Sequence, residues 1–263
     1  LFGNGREFSA DRLGSLVTWK EQYGDIVSAR FVTRSIVFIF HPDLIEDVLV
    51  PQNRKFIKHY RLRNTKRTLG YGLLTSEGEF WRRQRKLAQP AFHRARIAAY
   101  GEAMVRAADR MLQGWQDGQT RDAQEDMMAV TLEIVAKTLF DAEVGPDAAE
   151  AREAMETLMR CFMVETRMLV KLPLWVPTPH NRRVERAASR LDRIILRFIA
   201  ERRKTREDRG GLLSMILLAQ DEESGQGMTD KQLRDEAMTL FMAGHETTAN
   251  TLAWAWFLIG THP

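Results

Sequence analysis

The chain has 263 residues, 44% hydrophobic and 28% charged, with a formal net charge of +4 and a single cysteine, Cys161. That length supports one large domain or two small ones with a core that needs no disulfide. The composition excludes a disordered or fibrous chain, and the cysteine count excludes an intrachain disulfide. No apolar run reaches the roughly 18 to 20 residues that a membrane-spanning helix requires, and residues 1–7 lack a signal-peptide pattern. The chain opens on Leu1 without an initiator methionine, so this speaks for these residues only; a cytoplasmic location is the expectation.

In chain order, residues 9–23 are predicted as a helix capped by Ser9, with Leu13, Leu16, Val17 and Tyr23 on its apolar face and Gly24 ending it. Residues 26–32 and 35–40 are rich in β-branched and aromatic side chains and predict a hairpin around Thr33-Arg34. Pro42 suits the first turn of a helix through Val50. From Gly78 onward the pattern is almost entirely helical. Ile97, Tyr100, Met104, Ala108, Met111 and Trp115 recur at three- and four-residue steps until Gly118. Asp122 with Glu125 predicts a cap for a helix through Phe140, and Gly145-Pro146 a turn.

A further helix is predicted over residues 147–171. Pro173, Pro177 and Pro179 exclude regular helix over residues 172–179. A charged helix follows over residues 181–206, then a polar loop over residues 221–227. Thr229 and Gln232 form a capping box for a last helix reaching Gly260. At 1.5 Å per residue its roughly 31 residues span about 45 Å, enough to cross a large domain.

The middle of that last helix breaks local rules. Ala243-Gly244-His245-Glu246-Thr247-Thr248 sits between apolar runs, which predicts that it is buried. Yet it contains a glycine, costing about 1 kcal/mol against alanine in a helix, a carboxylate that needs a partner or a proton, and a threonine able to bond back to the Ala243 carbonyl. Taken singly, Gly244 is a close helix contact, Glu246 a surface acid and Thr247 a satisfied hydroxyl. Together they mark a functional site. A zinc-protease reading fails, because the second histidine of such a motif would fall at Ala249.

A second constellation is Phe80-Trp81-Arg82-Arg83-Gln84-Arg85. On a helix, Trp81 and Arg85 share a face, and the indole N–H and guanidinium are donors without acceptors. Such a pair suits a carboxylate or phosphate.

Residues 243–248 resemble the central-helix motif of the cytochrome P-450 family, and residues 81–85 its tryptophan-x-x-x-arginine motif. The spacing of the two and the order of elements are also similar, as are residues 72–76 and 89–92. The resemblance implies a mainly α fold with a small β-hairpin: the N-terminal part of the family's fold, as one incomplete domain over residues 1–263. It implies a heme-thiolate monooxygenase that activates dioxygen and inserts one oxygen atom into a small apolar substrate, with heme b as cofactor. Trp81 and Arg85, and with them Lys58, would bind a heme propionate. Ala243 and Gly244 would lie over the heme face, with Leu73 also beside the cofactor. Thr247 and Glu246 would be catalytic, in dioxygen contact and proton delivery. Leu74 and residues 162–175 would line the substrate pocket.

The family's iron ligand is a cysteine thiolate in a glycine-rich loop after the long helix. The resemblance gives Cys161 no such role; it is expected to be a packing or surface thiol. The ligand is expected to lie beyond residue 263, and these residues alone are expected to be inactive. Basic clusters at residues 54–67, 82–86 and 182–209 are expected on solvated faces. They lack the aromatic interleaving of a nucleic-acid footprint and suit an acidic electron-transfer partner, a ferredoxin or flavoprotein reductase. The alternatives are a non-enzymatic helical module for a hydrophobic ligand, and a metal hydrolase using His245 and Glu246, which lacks a second ligand.

Overall fold

The computed structural model describes residues 3–31, 34–59, 62, 65–141, 147–167, 172–173, 175–205, 210–220 and 225–262. Its contacts divide into two compact units, residues 1–57 and 58–263.

The first unit contains α1 (Gly5–Ala10), α2 (Arg12–Tyr23), β1 (Ile26–Phe31), β2 (Arg34–Ile39) and α3 (Pro42–Leu49). The expected single helix over residues 9–23 is two. Asp11 is extended between them, and its carboxylate accepts the Gly14 N–H at 2.9 Å, so Asp11 rather than Ser9 caps α2. The apolar face is also corrected: Leu13, Val17 and Tyr23 are exposed, whereas Trp19 is buried against Val27 and Ala29. A two-stranded sheet covers only a narrow stripe of helix, and the largest ring takes it. The strands pair antiparallel from Ile26↔Ile39 to Phe31↔Arg34; the anticipated turn at Thr33 lies outside the described residues. Pro42 starts α3, as its fixed φ favours.

The second unit holds α4 (Lys66–Leu69), α5 (Gly78–Ala88), α6 (Arg94–Gln113), α7 (Ala123–Phe140), α8 (Ala148–Arg167), α9 (Pro179–Thr205), α10 (Leu212–Leu218) and α11 (Asp230–Thr261). Phe140, Met155, Leu191, Ile195, Ile216, Leu233 and Met238 are fully buried at its centre. Asp122 caps α7 by accepting the Gln124 and Glu125 N–H groups. Thr229 and Gln232 close the capping box of α11.

The periodic stripe on α6 is not the one that is buried. Ala103 and Ala107 are covered, while Ile97 and Met104 are exposed. Small residues allow closer backbone approach than large ones, so the alanine stripe meets the neighbouring helix. The helix ends at Gly114, and Trp115 lies past it against Trp256. The short helices α4 and α10 have no periodic signal, α10 being an almost unbroken apolar run. Residues 145 and 146, and most of residues 168–174, lie outside the described set. Among the described residues no helix is long and apolar enough to cross a membrane.

Candidate functional site

The long helix α11 is buried on one side of its motif and open on the other. Phe241, His245 and Ala249, at four-residue steps, are buried, and α7 is the principal neighbour. Ala243, Thr247 and Thr248 face outward and are exposed. The expectation of a fully buried middle therefore holds for one face only. Trp254, Phe257 and Ile259, further along, are also exposed.

Each motif residue has a defined place. Thr247 Oγ1 donates to the Ala243 carbonyl at 2.6 Å, the back-bond anticipated from sequence. Its hydrogen is thereby engaged, and its lone pairs point outward from the helix. Gly244 is turned toward α7, where an added Cβ would lie 3.2 Å from Val135 Cγ2. The glycine thus seats α11 on α7. His245 is fully buried, with Nε2 2.9 Å from the Met128 carbonyl. Burial pushes its pKa below the usual imidazole range, so it is a neutral structural histidine.

Glu246 is half-buried, and burial raises its carboxyl above the ordinary range. It lines a cavity of about 180 Å³ together with Met128, Met155, Met159, Met242 and Asn250. At 100° per residue it projects about a quarter-turn away from Thr247.

The second cluster forms on α5. Arg85 lies over the Trp81 ring with Cζ 5.2 Å from its centroid, and Lys58 Nζ is 5.5 Å from the same centroid. The helical spacing thus brings Trp81 and Arg85 to one face, and Lys58 joins them from before the helix. Among the described residues Arg85 has no ion pair. Lys58 Nζ donates to the Leu73 carbonyl at 2.5 Å and the Ser76 carbonyl at 2.7 Å, using two of its three hydrogens. Its burial lowers its pKa, opposed by Glu77 and Glu236. Leu73 is partly buried against the main core, and Leu74 is exposed beside it.

A donor-only arrangement of two cations about an indole fits a carboxylate-bearing group, the chemistry of a heme propionate. The exposed Ala243–Thr247 stripe, with only a methyl at Ala243, fits the approach of a flat ring.

Sequence reasoning missed two acids. Asp235 and Glu236 are 3% and 1% exposed. Asp235 Oδ2 accepts the Tyr71 N–H at 2.8 Å, and Glu236 Oε2 accepts the Leu73 N–H at 2.9 Å. Glu236 is 7 and 11 residues before Ala243 and Thr247, and therefore on the same stripe of α11. Leu73 is thus held on both sides of its Cα, its carbonyl by Lys58 and its N–H by Glu236. The only sequence signal was a pair of adjacent acids just before the mostly apolar run over residues 237–243.

Cys161 is buried in the core of the unit, as a packing thiol would be. Residues 168–171 and 174 of the anticipated substrate wall lie outside the described residues, and of its remainder Leu172 and Trp175 are exposed.

The family model described as cytochrome P-450 matches residues 1–263. Among curated proteins the chain is 38% identical to cyclooctatin synthase of Streptomyces melanosporofaciens, covering 92% of this chain and 53% of that protein. It is 36% identical to cyclooctat-9-en-7-ol 5-monooxygenase of the same organism, covering 92% and 52%. The chain thus spans about half the length of these relatives. Among solved structures it is similar to retinoic-acid-bound cyanobacterial CYP120A1, with a TM-score of 0.81 at 20% identity, covering 99% of this chain and 58% of that one. The match extends over both compact units, and the fold is the corresponding part of that architecture.

Proposed function

The chain belongs to the cytochrome P-450 family, and from that premise we propose that it supplies the distal wall and the propionate corner of a heme monooxygenase. The observation that carries this reading is the convergence of Lys58 and Arg85 on the Trp81 indole. Heme b, when bound, supplies the dioxygen chemistry, through a thiolate ligand that we assign to residues outside these 263.

The chain's own residues bind, orient and move protons. Trp81 Nε1, Arg85 and the remaining Lys58 hydrogen hold the propionates. Ala243 presents a methyl to the ring face, while Gly244 acts indirectly by seating α11 on α7. Thr247, with its hydrogen on the Ala243 carbonyl, accepts from a water whose second hydrogen is then available to the pocket. Glu246, its carboxyl raised above the ordinary range by burial, takes protons from its cavity side and releases them toward that water. Leu74 borders the substrate.

For the substrate we propose an apolar molecule of the kind one relative's name describes, an unsaturated alcohol such as cyclooctat-9-en-7-ol. The exposed cations of α5 suit an acidic electron donor, a ferredoxin or flavoprotein reductase.

The test is the full-length protein with heme. It should give a thiolate-type carbon monoxide difference spectrum, and replacing both Trp81 and Arg85 with alanine should lower heme retention. Full retention in that double variant would contradict the assignment.

A further inference from the structure

Two buried acids lie near the start of α11, Glu236 on the stripe that later carries Ala243 and Thr247 and Asp235 beside it, and neither belongs to the motif. Asp235 and Glu236 catch consecutive odd-numbered N–H groups of the segment 70–76, which lies more than 160 residues earlier. The segment is built to be caught. Gly70 has φ +75°, and an added Cβ there would collide with the Asp235 carboxylate at 1.9 Å. At Gly72 a Cβ would meet Thr239 Oγ1 at 2.4 Å and the Asp235 carbonyl at 2.5 Å. Thr75 Oγ1 closes the turn on the Gly70 carbonyl at 2.7 Å. Glu236 Oε1 is buried without a hydrogen-bond partner among the described residues, so this carboxylate is committed to one contact, the Leu73 N–H. Placing a carboxylate there costs desolvation that an apolar side chain would avoid, which is unusual for mere packing.

We propose that Glu236 is a positioning residue: by gripping the Leu73 peptide it fixes Leu73 and Leu74 against the stripe of α11 and, through the Leu73 carbonyl, aims Lys58 toward Trp81 and Arg85. The two sides of the site are thereby set by the backbone of one residue, through the two peptide groups that flank it. The proposal rests on the functional reading above in taking Leu73 and Leu74 to border the cofactor and substrate.

The experiment compares Glu236→Ala, Glu236→Gln and Gly72→Ala in the full-length holoenzyme. Two quantities are read. One is backbone amide exchange over residues 70–76. The other is the ratio of dissociation constants for 4-phenylimidazole and imidazole, two heme-binding probes of which only the first reaches the surrounding wall. Glu236→Ala should speed exchange at Leu73 and change the ratio by about tenfold, the scale of one hydrogen bond. Glu236→Gln keeps an acceptor oxygen and should restore both. Gly72→Ala, which leaves the carboxylate in place but displaces the segment, should shift both in the same direction as Glu236→Ala.

Unchanged exchange in Glu236→Ala overturns the grip. Faster exchange with an unchanged ratio overturns the positioning role. Loss in Glu236→Gln equal to that in Glu236→Ala overturns the hydrogen-bond assignment. Failure of the wild-type protein to bind heme would instead count against the functional reading, and amide exchange would still decide the grip.

Discussion

The two halves of α11 differ sharply in burial. Up to Phe241 the helix is enclosed: Leu233, Asp235, Glu236, Ala237, Met238, Thr239 and Phe241 are all buried. Beyond Asn250 the apolar residues Leu252, Trp254, Trp256, Phe257, Leu258 and Ile259 are exposed. The enclosed half carries charge, and its two buried acids, Asp235 and Glu236, each reach a backbone N–H of residues 70–76. The open half carries hydroxyls that bond back to their own helix, Thr251 to Thr247 and Thr261 to Phe257. The motif lies where one regime gives way to the other. A group that must meet a ligand yet remain fixed belongs at such a boundary, with one face packed and the other open.

The contrast can be broken most forcefully by truncation. Phe241, 2% exposed and edge-on to Phe140, should cost about 3–5 kcal/mol when replaced by alanine. Phe257 in the open half is 58% exposed among these 263 residues, and Phe257→Ala should cost that stretch of chain only about 0.5 kcal/mol. Urea unfolding of the two variants checks this, and equal losses would remove the distinction.

Gly244→Val probes the boundary itself. With Val135 already 3.2 Å from an ideal Cβ, overpacking should cost about 1–3 kcal/mol, again read by urea unfolding. No loss would mean that α11 and α7 are not in close contact there.

Acid titration sharpens the enclosed half. Burial raises the Glu236 carboxyl from 4.5 to about 7. The folded chain therefore keeps a proton that the unfolded chain releases. That contribution is fully present below the unfolded value and is lost as pH rises through about 7. Over that window stability should fall with a slope approaching about 1.4 kcal/mol per pH unit. The slope should flatten in Glu236→Gln, as measured by denaturation at stepped pH; an identical slope would show that the carboxyl is not desolvated.

The smallest effect is at the start of the helix. Thr229→Ala removes a capping-box oxygen from an exposed terminus and should cost about 1 kcal/mol, measurable as a shift in the urea midpoint.

Signals confined to one stretch of chain were legible in the sequence. The Thr229–Gln232 box, the Asp122 cap, the Pro42 helix start and the Thr247 back-bond each involve residues within four positions, and each formed as the residue types required. The Trp81–Arg85 pair was legible for the same reason. Burial was less so. Ile97 and Met104 had the right period, but Ala103 and Ala107 were covered, because the choice of face depends on what packs against it. The roles of Asp235 and Glu236 were invisible, since their partners lie 164 and 163 residues away. Only the fold brings those groups together.

On the proposed function, the open stripe of α11 governs proton supply to a heme pocket. The most direct measurement is product formed and peroxide released per electron consumed in the full-length holoenzyme, comparing wild type with Thr247→Ala. Thr247→Ala should keep its heme while electrons are diverted from product into peroxide. An unchanged yield of product per electron would contradict it.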